Sequence, residues 1–449
     1  MISAMKRSMF LVILASAVAA AQGGSLKDQV ESVFPDARAL YVDLHQHPEL
    51  SGHETRTSAL LADKLRALGY DVTANLGGTG VVAVMKNGPG PTVMLRTELD
   101  GLPVEEQTGL AYASKVRTKD DSGRDVAVMH ACGHDVHMAS LYGTAAIMAK
   151  TKDTWHGTLM LVGQPAEETI SGAKKMVDDG LFTRFAKPDV GIALHDTNIL
   201  AAGQVGFTPG YMNTNADSLR ITVYGRGGHG ARPETTVDPV LIASSIVVRL
   251  QSIVAREIRP GDAAVITVGY IQAGTKNNII PDQAQMGLTV RSRKPEVRQH
   301  LLAAIERVVK AEAEAAGAEK MPLIERYEST SVVYNDQVLS RHVAEVLERT
   351  VGKSNVVVEE PEMTSEDYSV FIEQGVPSLY FQLGVADPQK LAQATSAGKL
   401  LPSNHSPLFA PVIDPALHTG IATEVSVLRD LLKGSSADVK KLTEQKTGM

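Results

Sequence analysis

The 449-residue sequence contains a single cysteine, Cys132, so no disulfide can close within the chain. Aromatic residues are scarce at 4 %, which argues against a surface built to stack on sugars or bases. Positive charge is not in excess. The formal net charge is −7 at pH 7, and a nucleic-acid partner has no electrostatic support. Internal repeats and low-complexity tracts are missing too. What remains is an ordinary globular balance of 43 % hydrophobic and 21 % charged residues, with 38 Gly and 21 Pro. That excludes a fibrous protein, a disordered acidic chain and a multi-pass membrane protein. At roughly 150 residues per domain the length allows two to three domains.

The first 21 residues read differently from the rest. Lys6 and Arg7 precede an apolar run from Ser8 to Ala20, and Ala19-Ala20-Ala21 offers a small-residue cleavage pattern. This predicts a secretory signal peptide over 1–21, since the run is short for a span of about 20 residues. The expected destination is the periplasm or the exterior, with no membrane association after cleavage. A free thiol in that oxidising compartment is a liability unless it is buried or bound.

Periodicity divides the remainder. Val30, Val33, Ala37, Leu40, Tyr41 and Leu44 mark a first helix, and Leu60, Leu61, Leu65 and Leu68 a second, stopped by Gly69. Short β-rich runs at 80–85, 92–95, 159–163 and 190–194 alternate with helical patterns, the signature of an α/β sheet with helices on both faces. After about residue 213 the strands alternate polar and apolar, as at Ser218–Tyr224, and two long helices intervene. The predicted organisation is a catalytic domain in two parts, 22–212 and 330–433, around an inserted α+β unit over 213–329. A polar, flexible tail is expected over 434–449.

Three clusters carry metal-binding side chains: His130 to His137 around Cys132 and His134, Gln164 to Glu168, and Leu194-His195-Asp196. A further histidine, His405, lies in a late loop. The last two clusters follow buried strands, where α/β proteins place their sites. A thiolate, imidazoles and carboxylates suit zinc, and also cobalt, nickel or manganese. Ligation would also withdraw the free thiol from disulfide chemistry. In Glu167-Glu168 one carboxylate can ligate while its neighbour acts as general base; the plainer alternative is negative charge at a helix N-terminus. His130 and His137 read as supporting residues, His45 and His47 as turn residues before Pro48.

The chain resembles the M20 metallopeptidase family, in its branch of N-acyl amino acid amidohydrolases. The motifs that carry the resemblance are Leu44 to Ser51, Leu95 to Pro103, His130 to His137, Gln164 to Glu168 with Ser171 to Met176, Gly225 to Pro233, Asn277 to Asp282, Ser365 to Tyr368 and His405 to Pro407. They run in register from about residue 27 to 430. The resemblance implies a zinc-peptidase-like catalytic domain with an inserted lid or dimerisation domain. It implies two divalent metal ions per subunit, Zn²⁺ or Mn²⁺ with Co²⁺ or Ni²⁺ as alternatives, held by Cys132, His134, Glu168, His195 and His405. Glu167 maps onto the catalytic base, and Asp100 onto a carboxylate behind the ligands. His229 resembles the histidine that steadies the oxyanion, in dimeric relatives from the neighbouring subunit. Asn277 and Arg291 lie where related enzymes hold the substrate carboxylate. The expected reaction is hydrolysis of the amide of an N-acyl amino acid, by a homo-oligomer acting on a small molecule. The rivals are a carboxypeptidase or dipeptidase on the same centre, and a binding protein that has lost catalysis. The sequence departs from the branch at Glu98, where Asp is usual, and in the long segments 114–127 and 385–403.

Overall fold

The computed structural model describes residues 24–443; the signal peptide expected over 1–21 lies outside them. Before the insert the strands are β1 (Asp71–Leu76), β2 (Gly80–Asn87), β3 (Thr92–Glu98), β4 (Gly157–Gln164), β5 (Val190–Ala201) and β6 (Val205–Phe207). The insert supplies β7 (Asn215–Tyr224), β8 (Ala264–Ala273), β9 (Gln283–Ser292) and β10 (Leu323–Thr330), and the chain then adds β11 (Val356–Val358) and β12 (Ser378–Ala386). The main helices are α1 (Leu26–Gln46), α2 (Thr55–Ala67), α3 (His134–Lys150), α4 (Gly172–Asp178), α5 (Pro239–Glu257), α6 (Pro295–Ala315), α7 (Gln337–Val351) and α8 (Ile413–Leu431).

The catalytic frame is one eight-stranded sheet in the order β1-β2-β4-β3-β5-β12-β6-β11. Its central strands β4, β3, β5 and β12 are parallel, so their carboxyl ends converge on one edge. Successive side chains alternate faces. Ala83, Leu95, Leu161, Ile192 and Leu194 pack with α1, α3 and α8 on one side. Val82, Met94, Met160, Val162 and Ala193 pack with Met176 of α4 and Phe371 on the other. Helix α3 is buried from His134 to Met148 on every face, which explains its apolar run without a polar stripe.

The insert folds around its own core. Its four-stranded antiparallel sheet has the order β8-β9-β7-β10. Leu219, Ile221 and Val223 of β7 meet Ile246 and Leu250 of α5 and Leu301 and Ile305 of α6.

Two local expectations, on the tail and on His45, are corrected, and the long charged segment takes a defined form. The tail is not uniformly irregular, because Ser436–Lys441 forms a helix. Ser435 and Asp438 cap each other there, and Val439 is buried against the main core. The charged segment 114–127 is a hairpin, pairing Arg117–Lys119 with Asp125–Ala127. His45 is no turn residue: it lies buried in the last turn of α1, between Asp135 (2.7 Å) and Glu106 (3.2 Å).

Candidate metal centre

The site forms where the parallel strands end. β3 leads to Asp100, β4 to Glu167 and Glu168, and β5 carries His195 and Asp196 at the same level as Gln382 of β12. Cys132 and His134 enter from the start of α3. Gly133 between them has φ +79, and a Cβ there would stand 2.2 Å from Asp196 Oδ2. Only glycine brings the helix start so close to β5. His405 arrives on a late loop docked by its own N–H to Ala131 O (2.7 Å) and by Asn404 Nδ2 to Asp196 Oδ1 (3.1 Å). Among described non-glycine residues the positive φ values are at Asn75, Ala166, Ile170 and His405. Three of these four flank the Glu pair or are themselves in the cluster, so strained backbone concentrates at the site.

Five donor atoms meet. Cys132 Sγ lies 3.3 Å from His405 Nε2 and 3.5 Å from His195 Nε2. Glu168 Oε1 lies 3.4 Å from His405 Nε2 and 4.0 Å from His134 Nε2. Two of the three imidazoles are fixed from behind. His134 donates from Nδ1 to Asp100 O (2.8 Å), and His195 from Nδ1 to Asp196 O (2.8 Å). Both Nε2 atoms are thereby aimed at the cluster. His134 Nε2 and Glu168 Oε1 are buried with no hydrogen-bond partner, a costly state for a protein to hold without a ligand. Burial pushes the Cys132 thiol well up, and Glu168, Glu167 and Asp196 add to it. A thiol so placed ionises only if a cation offsets those carboxylates. Mixed S, N and O donors with unsatisfied lone pairs fit a divalent transition-metal ion.

Other polar groups hold the donors. Asp100 Oδ2 accepts from Ser51 Oγ (2.6 Å) and from the Glu168 N–H (3.0 Å). His137 Nε2 donates to Asp196 Oδ1 (3.1 Å), and its Nδ1 donates to Glu98 (2.8 Å). With both ring nitrogens committed, His137 braces β5 rather than binding an ion. Behind it, fully buried Arg96 pairs with Glu98 and with Glu366 (2.7 Å), while Tyr380 donates to Glu366 (2.8 Å). Sequence reading gave no role to Arg96 or Tyr380; an arginine inside an apolar strand was the available signal.

Glu167 stands beside the cluster, 3.9 Å from His134 Nε2. Burial, then Glu366, Glu168 and Asp367, hold its carboxyl well above the usual carboxylate range. A cleft of about 890 Å³ opens over these groups, lined by Cys132, Glu167, Glu168, His195, Arg291 and His405 among others. The structure thus brings Cys132, Glu168, His195, His405, Glu167 and Arg291 to one cleft, with His134 and Asp100 buried behind it. It does not bring His229 or Asn277 there. His229 is exposed on a two-residue ribbon, Gly228–His229 against Ile279–Ile280, with exposed Asn277 leading into it. Neither lines the cleft of its own chain.

Residues 94–397 match the family described as peptidase family M20/M25/M40. The chain is 36 % identical to thermostable carboxypeptidase 1 of Saccharolobus solfataricus, over 86 % of this chain and 92 % of that protein. It is 37 % identical to a hippurate hydrolase of Campylobacter jejuni, over 74 % and 83 %. The fold superposes on a dinuclear metal-binding M20 peptidase of Bacillus subtilis with a TM-score of 0.71 at 26 % identity, covering 90 % of this chain and 99 % of that one.

Proposed function

The chain belongs to peptidase family M20/M25/M40, and from that premise we propose that it hydrolyses the amide bond of N-acyl amino acids, releasing a carboxylic acid and a free amino acid. The observation that carries this reading is a free carboxylate, Glu167, beside five converging metal-binding donors in an open cleft. The similarity to a hippurate hydrolase supports the N-acyl substrate. The similarity to a carboxypeptidase keeps peptides as the second reading.

Cys132, His134, Glu168, His195 and His405 would hold two divalent ions, Zn²⁺ or Mn²⁺ by donor chemistry. When bound, such ions supply Lewis-acid activation of water and of the scissile carbonyl. Glu167 takes the proton of the attacking water and returns it to the leaving amine. Arg291 faces the cleft and pairs with the free carboxylate of the substrate. His229 and Asn277 need a second copy to reach a site. Exposed Leu241 (66 %) and Val248 (74 %) on α5, with Val265, Tyr270 and Ile271 on edge strand β8, supply an apolar face for such self-association. The chain is proposed to act after export, which its N-terminal sequence supports.

Glu167→Gln is expected to keep its metal content and lose roughly 10²–10⁴-fold in kcat, read on benzoylglycine with metal analysis of the same preparation. Near-normal turnover would assign the base elsewhere. Chelation is expected to inactivate the wild type and added Zn²⁺ or Mn²⁺ to restore it; full activity in a metal-free preparation overturns the metallohydrolase reading.

A further inference from the structure

The cleft carries four carboxylates besides that of Asp196, which is tied to His137 and Asn404: those of Glu167, Glu168, Glu362 and Glu366. Of the protein's four, Glu168 belongs to the donor cluster, Glu167 is the base, and Glu366 is held by Arg96 and Tyr380. Glu362 has no such task. Its only side-chain partner among the described residues is Thr364 Oγ1, at 3.3 Å, and it forms no ion pair.

The wall that bears Glu362 is held firmly. The Glu362 N–H donates to Met212 O (2.9 Å), and the Thr214 N–H to Thr364 O (3.0 Å). Arg291 reaches across from β9 and donates to Met363 O (3.0 Å) and Ser365 Oγ (3.4 Å). Arg291 also lacks a carboxylate partner among the described residues. A cation on β9 and an anion beside Met363, neither with a charged partner among the described residues, therefore both line the cleft. Behind the strip the Gln382 amide donates to both oxygens of Glu359 (3.1 Å). Burial and the Glu362 charge hold the Glu359 carboxyl up to about 7, so the Glu362 charge already acts on its surroundings. The volume of about 890 Å³ lies near the top of the range of about 300–1,000 Å³ for small-molecule clefts. An acetylated amino acid would leave much of it empty.

We propose that this cleft selects substrates that carry an ammonium group as well as a free carboxylate, with Glu362 facing the ammonium and Arg291 the carboxylate. The inference rests on the amidohydrolase reading and narrows its substrate class. The ammonium has two chemical sources: the α-amine of a short peptide, or the side-chain amine of an N-acylated basic amino acid. A fixed carboxylate at a half-buried position favours a cation because part of the desolvation is already spent and the acid need not move.

The test compares matched pairs on the metal-loaded full chain. One arm sets Phe-Gly against 3-phenylpropanoyl-glycine, which lacks only the amine. The other sets N-benzoyl-lysine against N-benzoyl-norleucine. In at least one arm the ammonium substrate is expected to have the higher kcat/KM, by about tenfold, and that arm identifies the source. Glu362→Gln is expected to bring the ratio within each preparation close to one, and Glu362→Lys to invert it. Ratios near one in both arms for the wild type, or a ratio that Glu362→Gln leaves intact, overturn the proposal while the neutral substrates still report a working amidohydrolase. Hydrolysis of none of the four overturns the amidohydrolase reading, and the proposal with it.

Discussion

A Cβ at position 133 would meet the Asp196 carboxylate at 2.2 and 2.5 Å, from a backbone already at φ +79. Asp196 cannot yield freely, because it is tied to His137 and to Asn404. Gly133→Ala is therefore expected to destabilise by about 2 kcal/mol or more, and to loosen Cys132 and His134 on either side. Thermal melting with metal analysis checks this: a variant with unchanged melting and full metal content would show that the close approach is not required. The neighbourhood was partly legible in the sequence. Cys132 and His134 announce themselves by chemistry, and Glu168 also by its place after a buried strand. The need for glycine at 133 was not legible, because the atom it avoids belongs to a strand more than 60 residues away. The same holds for Arg96, whose partners Glu98 and Glu366 lie on opposite sides of the insert in sequence.

At the level of elements, α3 matters most, because His134 opens it, Cys132 stands just before its cap, and its body is buried on all sides. Helix α8 locks it through one buried carboxyl. Glu424 Oε2 accepts from Ser140 Oγ (2.9 Å) and Thr144 Oγ1 (2.7 Å) of α3. Burial raises the Glu424 carboxyl to about 7, with the Glu98 charge adding and His137 opposing. The folded state thus binds this proton more tightly than the unfolded chain, whose glutamate titrates near 4.5. The contribution is fully present below about pH 4.5, declines as pH rises, and is lost once pH passes about 7. Glu424→Gln keeps a neutral side chain of the same shape. Its melting temperature is expected to exceed the wild type's by more at pH 8 than at pH 5. An equal difference at both pH values would show that Glu424 is charged in the fold already at pH 5. Sequence periodicity found α1 and α3 as helices but gave no reading of α8, and a glutamate within an apolar helix gives no sign of facing two hydroxyls.

For the whole molecule, the insert and the catalytic frame have separate sheets and separate cores. The style change read near residue 213 is the change from a sheet buried on both faces to one covered on a single face. That difference is written into the strands themselves. The insert's His229 does not line its own chain's cleft, so the catalytic use proposed for it requires a second copy. Mixing His229→Ala with Glu167→Gln chains is expected to restore activity, since a hybrid dimer pairs one intact base with one intact histidine. Hybrid dimers that form and stay inactive would end the crossing arrangement.

The sequence alone determined the class of fold, the strand–helix alternation and the candidate metal-binding side chains. These depend on local periodicity and on the chemistry of single residues, both of which survive in one dimension. Tertiary structure decided which donors share a cavity and which carboxylates behind it are neutralised. It also decided that Glu362 and Arg291 face the same cleft without pairing. Those outcomes depend on distances between strands far apart in the chain, and on the burial that sets the strength of each charge, neither of which a residue's neighbours in sequence fix.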